Sequence, residues 1–256
     1  MAKKLLFKAS QDALNRLSDI HILLHDVDGV ADSHVPEPLD TAFFNSRDGI
    51  SRFIAERLGV SLDEGVRIFK RMTGLPGRAF ANIEEHTGIP VTDLIDWAYD
   101  QNVLLEMLMN TPQVPELRTT MEKLTMMRHF FFTNGTRMHA NRMLTRQSLL
   151  HRFERHTENG KVTIERGFAT DDPLVNYRQK PDVELMSEVF HALDTHVDNI
   201  AFIEDSQTNA IAASGMGLLV ILIKRGMDET TPKPDGIDIM VPDYLTALRV
   251  VLAAHQ

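Results

Sequence analysis

The chain has 256 residues, of which 43% are hydrophobic and 25% charged, with a net charge of −9 and no cysteine. This composition is ordinary for a globular protein that can bury a substantial core. The acidic balance argues against a nucleic-acid partner, and the lack of cysteine excludes disulfides and thiolate chemistry. Because the apolar runs are too short for a membrane span or a signal peptide, we expect a cytoplasmic protein that binds no membrane.

The elements predicted along the chain alternate between helix and strand. Residues 3–17 carry apolar side chains at helical spacing, which predicts an N-terminal helix within 1–17. Nearly continuous apolar runs, typical of strands buried on both faces of a parallel sheet, lie at 20–24, 129–133, 199–203, 218–223 and, more weakly, 237–241. Helical patterns lie at about 114–127, 136–147, 182–193, 207–214 and 243–254. The alternation predicts a doubly wound α/β core with a parallel sheet.

The connection after the first run is unusual. Residues 34–114 show helical patterning and no strand-like run. Roughly eighty residues is too long for a loop within an α/β core, so we interpret this segment as an inserted all-helical cap domain. The core domain would then comprise residues 18–33 and 115–256. A cap at this place could cover the carboxyl ends of the strands, where open α/β sheets bind ligands.

Two aspartates follow the first apolar run. Asp26 and Asp28 are two positions apart and should lie on the same side of an extended chain. Asp26 could attack phosphorus and form an aspartyl-phosphate, while Asp28 could protonate the leaving oxygen and later take a proton from water. A turn rich in Asp and Gly is also common after a strand for backbone reasons, and this pair alone leaves both interpretations open.

Two further segments could bind a phosphoryl group. Thr133, Asn134 and Gly135 close the second run and could cradle an anion with a hydroxyl group and backbone amides. Taken alone, these residues are explained more simply as a turn. Lys180 precedes Pro181 and could be held as a point charge between phosphate and nucleophile. An ordinary loop lysine is the simpler interpretation of that residue when it is considered by itself.

An acidic pair, Glu204 and Asp205, ends the third run before a predicted helix. Acidic residues are ordinary at a helix start. They could equally hold a hard divalent ion, which prefers oxygen ligands. Asp205 with Asp26 and the Asp28 carbonyl could bind Mg²⁺, and Glu204 could bind it directly or through water. Without this cation and Lys180, the carboxylates and a phosphate dianion would repel one another.

In this order the four segments resemble the motifs of the haloacid dehalogenase superfamily. That pattern is D-x-D-x-[TV] after a strand, [ST]-N after a second strand, then a lysine, then an acidic pair after a third strand. The resemblance covers nearly the whole chain after about residue 18. It implies a Rossmannoid core, a helical cap inserted between the first two motifs, Mg²⁺ as cofactor and a small phosphorylated metabolite as substrate.

Within the superfamily, Asp28 points to a particular reaction. Dehalogenases and phosphonatases lack an acid/base aspartate at this position, so its presence implies phosphate-ester hydrolysis or phosphomutase chemistry. The segments 132–135, 180–181 and 203–209 look most like pyrimidine 5′-nucleotidases. The Glu-Asp pair also looks like β-phosphoglucomutase and its sugar-phosphatase relatives. His25 departs from the apolar or aromatic residue usual before the nucleophile, and alternation along the strand predicts that it packs on the opposite side.

The sequence therefore predicts a phosphatase, with a nucleoside 5′-monophosphate favoured as substrate. Two alternatives stay open: a phosphomutase or sugar-phosphate phosphatase like β-phosphoglucomutase, and a non-catalytic protein that binds phosphate or a nucleotide. Arg71, Arg78 and Phe80, around a bend at 74–77, are candidates for substrate selection, although a helix–helix turn explains them as well. The eleven histidines show no metal-binding spacing, so we interpret them as surface or core residues. The oligomeric state stays open.

Overall fold

The computed structural model describes residues 6–46, 49–73, 79–153, 157–158, 161–162 and 166–256. Its strands are β1 (Lys8–Ala9), β2 (Ile22–His25), β3 (Arg128–Phe132), β4 (Thr157–Glu158), β5 (Lys161–Val162), β6 (Gly167–Phe168), β7 (Ile200–Glu204), β8 (Leu219–Ile223) and β9 (Ile239–Val241). Its helices are α1 (Gln11–Leu17), α2 (Leu39–Asn45), α3 (Ile50–Leu58), α4 (Leu62–Thr73), α5 (Ala79–Thr87), α6 (Val91–Tyr99), α7 (Asn102–Asn110), α8 (Pro115–Lys123), α9 (Arg137–Arg146), α10 (Val183–Ala192), α11 (Gln207–Gly215) and α12 (Tyr244–Ala254).

A seven-stranded sheet has the order β1-β9-β8-β7-β2-β3-β6. β1 pairs antiparallel with β9, and the other neighbouring strands pair in parallel. β2 lies between β3 and β7, so that His25 stands opposite Phe131 on one side and Ile203 on the other. The carboxyl ends of these three strands therefore meet at one edge of the sheet.

Helices cover both faces of this sheet. Leu23 and Ile221 belong to a core that includes side chains of α8, α9 and α12. Leu24 and Val220, which point the other way, belong to a second core with α10 and α11. Strands β2, β7, β8 and β9 are consequently buried along their whole length. The prediction of a doubly wound α/β fold with a mostly parallel sheet is confirmed.

The long connection between β2 and β3 carries helices α2 to α8 in the described residues, of which α2 to α7 fall within the predicted insertion. Aromatic side chains hold several of these helices together. Trp97 stacks on Phe43 and on Phe53, with ring centroids 6.1 and 4.9 Å apart. The division of the chain into a core and a cap at residues 34 and 114 stays a prediction. None of the helices in the described ranges has the length and apolarity needed to span a bilayer.

The N-terminal helix is shorter than the sequence pattern predicts. Of the predicted 3–17 segment, only Gln11–Leu17 is helical, residues 1–5 lie outside the described ranges, and β1 precedes the helix. Ser10 sets the boundary, because its hydroxyl oxygen accepts a hydrogen bond from the Ala13 N–H at 3.1 Å and caps the helix. Lys8 and Ala9 pair with β9 instead. Helical spacing alone does not reveal that the chain can extend the sheet there.

His25 is buried, and it also makes polar contacts that the packing interpretation did not include. Its Nδ1 lies 2.8 Å from the Tyr244 hydroxyl, and its Nε2 lies 3.1 Å from Nδ1 of His129. Burial, and then His129, lowers the pKa of His25, while burial lowers the pKa of His129 to about 3. Both rings are therefore neutral at ordinary pH, and they pack beneath the strand that positions Asp26.

Candidate active site

The polar segments singled out in the sequence meet at the carboxyl edge of the sheet. Asp26 follows β2, Thr133 follows β3, and Glu204 ends β7. The backbone N–H of Asp26 donates to the Ile203 carbonyl at 2.9 Å, which continues the pairing of β2 with β7 beyond the strand. A cavity of about 110 Å³ at this edge is lined by Asp26, Asp28, Pro38, Thr41, Tyr99, Thr133, Asn134 and Asp205.

Lys180 is buried and joins Asp26 to the acidic pair. Its Nζ lies 2.9 Å from Asp26 Oδ1 and 2.8 Å from Glu204 Oε2, and donates to the Phe132 carbonyl at 2.9 Å. Each hydrogen of the ammonium group therefore has an acceptor. Burial lowers the pKa of Lys180, but the carboxylates of Asp26 and Glu204 outweigh it and raise the pKa above its ordinary value. Lys180 is thus a fixed cation.

Both oxygens of Glu204 already accept hydrogen bonds. Oε1 accepts from the backbone N–H groups of Asp205 and Ser206 at 3.1 and 2.9 Å. Oε2 accepts from Lys180 at 2.8 Å and from the side-chain amide of Asn209 at 3.2 Å. Burial opposes ionisation, but Lys180 outweighs it and lowers the pKa of Glu204. Since a carboxylate accepts about four hydrogen bonds, Glu204 is an ionised partner of Lys180 with its lone pairs occupied.

Carboxylate oxygens of Asp26, Glu204 and Asp205 all lie within 4.8 Å of one another. Burial, and next the Glu204 carboxylate, raises the pKa of Asp26 well above its usual range. The same two causes raise the pKa of Asp205 to about 7. A cluster of oxygen donors with more negative charge than Lys180 neutralises suits a hard divalent cation. The donor set therefore fits the Mg²⁺ that the resemblance implies.

Gly29 and Arg225 constrain the position of Asp205. Gly29 has a φ of +76°, and a Cβ at this residue would overlap the Asp205 carboxylate. Arg225 follows β8, donates to the Gly29 carbonyl at 2.8 Å, and lies 3.4 Å from Asp205 Oδ2. The same guanidinium group lies 3.3 Å from Asp32, a buried carboxylate. Sequence reasoning missed Arg225, whose only signal is its place just after a buried strand.

Asp28 pairs with a histidine that the sequence analysis did not single out. Asp28 Oδ1 lies 2.6 Å from His139 Nε2, and both side chains are buried. His139 lies in the first turn of α9, which Thr136 caps. Side chains on a helix lean toward its N-terminus, and this end of α9 faces the site. The available signal was a histidine four residues after Gly135, at the start of the helix that follows the second motif.

The second motif is tied to the third by hydrogen bonds. Asn134 Oδ1 accepts from the Lys180 backbone N–H at 2.7 Å, and its side-chain amide donates to the Lys180 carbonyl at 3.3 Å. Thr133 Oγ1 accepts from the Gly135 N–H at 2.9 Å. The backbone interpretation of these residues is therefore correct in part, because they shape the turn. Thr133 and Asn134 also line the cavity, as an anion-binding role requires, whereas Gly135 is not among its described lining residues.

A larger cavity of about 470 Å³ extends from Lys180 and Asn134 toward the helical segment. It shares Thr41, Tyr99 and Asn134 with the smaller cavity. Its aromatic lining consists of Phe44, Phe69, Phe80 and Tyr99. Its polar lining includes Thr41, Asn45, Thr73, Gln179, Ser206, Thr208 and Asn209. Among the described residues that line it, Lys180 carries the one charged side chain.

The three residues predicted to select the substrate differ in their position relative to the larger cavity. Phe80 lines the larger cavity. Arg71 is exposed and is not among the described lining residues. Arg78 and the bend at 74–77 lie outside the described residues.

No protein-family model matches the chain, and no curated protein matches it. Solved structures are similar to it. A HAD phosphatase from Thermococcus onnurineus has a TM-score of 0.54 at 16% identity, covering 92% of this chain and 99% of that one. A protein from Thermotoga maritima provisionally named a β-phosphoglucomutase has a TM-score of 0.53 at 16% identity, covering 91% and 98%. A magnesium-bound protein from Bacillus subtilis provisionally named a HAD-hydrolase has a TM-score of 0.50 at 16% identity, covering 91% and 98%.

At these identities the similarity shows the fold. The chain has the α/β fold of haloacid dehalogenase-like proteins, as the order of its motifs predicts.

Proposed function

We propose that this protein is a Mg²⁺-dependent phosphomonoester hydrolase that works through a phosphoaspartate on Asp26. The observation that carries the proposal is the convergence of Asp26, Asp28 and Asp205 on one small cavity, with Lys180 buried against Asp26. The similar fold of a named phosphatase supports it. Each residue that the chemistry requires is present with a partner that holds it in place.

Asp26 is the nucleophile in this mechanism. Lys180 Nζ and the Val27 N–H hold its Oδ1 at 2.9 and 2.8 Å, and its Oδ2 is the oxygen that attacks phosphorus. Asp28 protonates the leaving alcohol and afterwards accepts a proton from the water that hydrolyses the acyl phosphate. Thr133 and Asn134 contact the oxygens of the phosphoryl group from the cavity wall.

Asp26 and Asp205 are the side chains that would hold Mg²⁺, with the Asp28 carbonyl. Glu204 would contribute through its negative charge and its contact with Lys180, because four donors occupy its oxygens. When bound, the ion supplies charge that offsets the repulsion between carboxylates and phosphate. The magnesium-bound neighbour of similar fold supports this assignment.

The larger cavity favours a nucleoside 5′-monophosphate as substrate. Four aromatic side chains with amide and hydroxyl groups around them suit a planar, neutral base. A phosphomutase or sugar phosphatase is the second candidate, which the fold of the Thermotoga maritima protein supports. A mutase that holds a doubly phosphorylated sugar requires a cation for the second phosphate. Lys180, the one charged side chain in the described lining, is already paired.

The test is phosphate release from a panel of nucleotides and sugar phosphates, with Mg²⁺ or with a chelator. We expect Mg²⁺-dependent release with a preference for UMP and CMP. Asp26→Asn should lower kcat by about 10³-fold or more, because a covalent step is lost. Asp198→Asn, which changes an exposed carboxylate outside the site, is the matched control and should keep the wild-type rate.

Other outcomes would identify the alternatives. Transfer of phosphate within a sugar phosphate, without release, would favour the phosphomutase. Binding of a nucleotide without turnover would favour the non-catalytic protein. Unchanged hydrolysis by Asp26→Asn, or acid-quenched protein that never carries label from radioactive substrate on Asp26, would exclude the proposed mechanism.

A further inference from the structure

We propose that His139 is a positioning residue for Asp28, an inference that rests on the proposed hydrolysis. The distance of 2.6 Å between His139 Nε2 and Asp28 Oδ1 joins side chains that are 2% and 10% exposed. Removal from water strengthens such a contact and makes its loss costly. Asp28 lines the small cavity and His139 is not among its described lining residues, so His139 would act on the reaction through Asp28.

The hydrogen bond determines which oxygen of Asp28 serves the reaction. We assign the hydrogen of this pair to His139 Nε2, because a carboxyl oxygen that carries no proton only accepts hydrogen bonds. That bond occupies Oδ1 and fixes the plane of the carboxyl group. Oδ2 lies toward the second motif, 3.5 Å from the Thr133 hydroxyl and 3.1 Å from an ideal Cβ at Gly135. Oδ2 is therefore the oxygen that carries the catalytic proton.

His139 is itself held in place through its ring and through its backbone. Tyr99 of α6 packs on it with a centroid distance of 4.7 Å. The His139 backbone N–H donates to the Thr136 hydroxyl at 3.3 Å, at the capped start of α9. Because Tyr99 restricts the ring and Thr136 fixes the backbone that carries it, the orientation of the Asp28 carboxyl group is set before the substrate arrives. Pre-organisation of this kind lowers the entropic cost of reaching the transition state.

The two steps of hydrolysis depend on Asp28 in different ways. In the first, an Asp26 oxygen bonds to phosphorus, the bond from phosphorus to the leaving oxygen breaks, and the proton on Asp28 Oδ2 moves to that oxygen. In the second, a water oxygen bonds to phosphorus, the bond to Asp26 breaks, and one water proton returns to Asp28. An alkoxide needs the first proton transfer, whereas p-nitrophenolate leaves as a stable anion. The second step needs Asp28 for every substrate.

Two substitutions at His139 test this role. His139→Phe removes the donor and keeps a ring against Tyr99, while His139→Gln places an amide N–H within reach of Asp28. For UMP, whose leaving group is an alkoxide, kcat/KM of His139→Phe should fall by about 10²-fold. For p-nitrophenyl phosphate, kcat/KM should fall by less than about 5-fold while kcat and KM fall together, because only the later water attack is slowed. His139→Gln should recover about 10-fold of the loss with UMP.

Met143→Ala is the matched control, since Met143 is buried one turn further along α9. It should lower the rates with both substrates by the same factor. Equal losses for UMP and p-nitrophenyl phosphate in His139→Phe, or no recovery by His139→Gln, would overturn the inference. The proposed hydrolysis would then still stand if the wild-type protein releases phosphate with Mg²⁺. No release by the wild type from any substrate would overturn the proposed function, and the inference with it.

Discussion

At the residue scale, each carboxylate of the site differs from the others through its hydrogen-bond partners. Glu204 receives four donors and pairs with Lys180, so it is ionised and held still. Asp26 Oδ1 is held by Lys180, and Asp28 Oδ1 is held by His139 at 2.6 Å while its Oδ2 has only a long contact of 3.5 Å with the Thr133 hydroxyl. In the proposed mechanism the same side-chain chemistry would thus supply a structural anion, a nucleophile and an acid/base group. Environment assigns these roles, as expected where buried carboxylates share a site.

A side chain at Gly29 would overlap the Asp205 carboxylate, and this overlap leads to a prediction at the residue scale. Gly29 and Gly236 have φ values of +76° and +77°, and a Cβ at Gly236 meets no atom within 4 Å. Alanine at either position costs roughly 1 kcal/mol of stability, because L-residues avoid this region. Only Gly29→Ala should also displace Asp205. We expect it to raise the Mg²⁺ concentration for half-maximal activity by about 10-fold or more.

Comparing Gly29→Ala with Gly236→Ala separates the effect of backbone strain from the effect of overlap with Asp205, the proposed metal ligand. Activity is measured against Mg²⁺ concentration for the wild type and both variants, and the free energy of unfolding is measured in parallel. If Gly29→Ala and Gly236→Ala lose similar stability and show the same Mg²⁺ requirement, Gly29 does not constrain the metal site.

At the scale of elements, part of the site was predictable because parallel strands place their ends together. Asp26, Thr133 and Glu204 each close a buried apolar run, and the order of the runs predicted that they meet. His139 and Arg225 were not predictable in this way. They come from a helix and a loop whose approach to the site depends on how α9 and β8 pack. A single histidine or arginine carries no periodic signal, so only the tertiary structure brings these two residues to the site.

The N-terminal segment shows that apolar spacing alone also fails to predict part of the fold. Apolar spacing predicted a helix over 3–17, but the Ser10 cap and the pairing of β1 with β9 confine it to α1. Once formed, α1 belongs to the central core, since Ala13 and Leu17 are both buried there. This segment is therefore structural in the described residues, and its loss should affect stability before it affects chemistry.

Leu17→Ala tests the structural role of α1. Leu17 is 0% exposed and Leu58, at the end of α3, is 36% exposed. The first substitution leaves a core cavity and should lower the free energy of unfolding by about 2–5 kcal/mol, whereas Leu58→Ala should cost under about 1 kcal/mol. Denaturant unfolding measures both. Below the unfolding transition, kcat/KM should match the wild type in both variants, and a selective loss of activity in Leu17→Ala would show that α1 also shapes the site.

At the scale of the whole molecule, the proposed Mg²⁺ site would link metal binding to stability through its carboxylates. Burial, then Asp28, raises the pKa of Asp32 to about 6, and burial with Glu204 raises that of Asp205 to about 7. These values lie above those of an unfolded chain, so the folded state binds more protons between pH 4 and 7. Without metal, the contribution of these groups to stability is present at low pH and is lost as the pH rises through 6 and 7.

Mg²⁺ should reverse the part of that loss that comes from Asp205, because the ion would compete with protons for the Asp26 and Asp205 carboxylates. We expect the rise in Tm on adding Mg²⁺ to be small near pH 5 and to grow toward pH 8. At a concentration about 100 times the dissociation constant, the ion contributes roughly 2.7 kcal/mol. Thermal unfolding with Mg²⁺ or with a chelator, at matched ionic strength, measures the difference at each pH.

The difference between the Tm with Mg²⁺ and the Tm with chelator reports on the metal site and not on other titrating groups. His25 and His129 have lowered pKa values, so their contribution is present above about pH 6.5 and is lost as the pH falls below it. Because the histidine contribution is present both with Mg²⁺ and with the chelator, it cancels in the difference between the two Tm values. Asp205→Asn should make the Mg²⁺ effect small at every pH, while Asp238→Asn, which changes an ion pair with Arg16, should leave it intact. A Mg²⁺ effect of equal size at pH 5 and pH 8 would show that these carboxylates do not bind the ion.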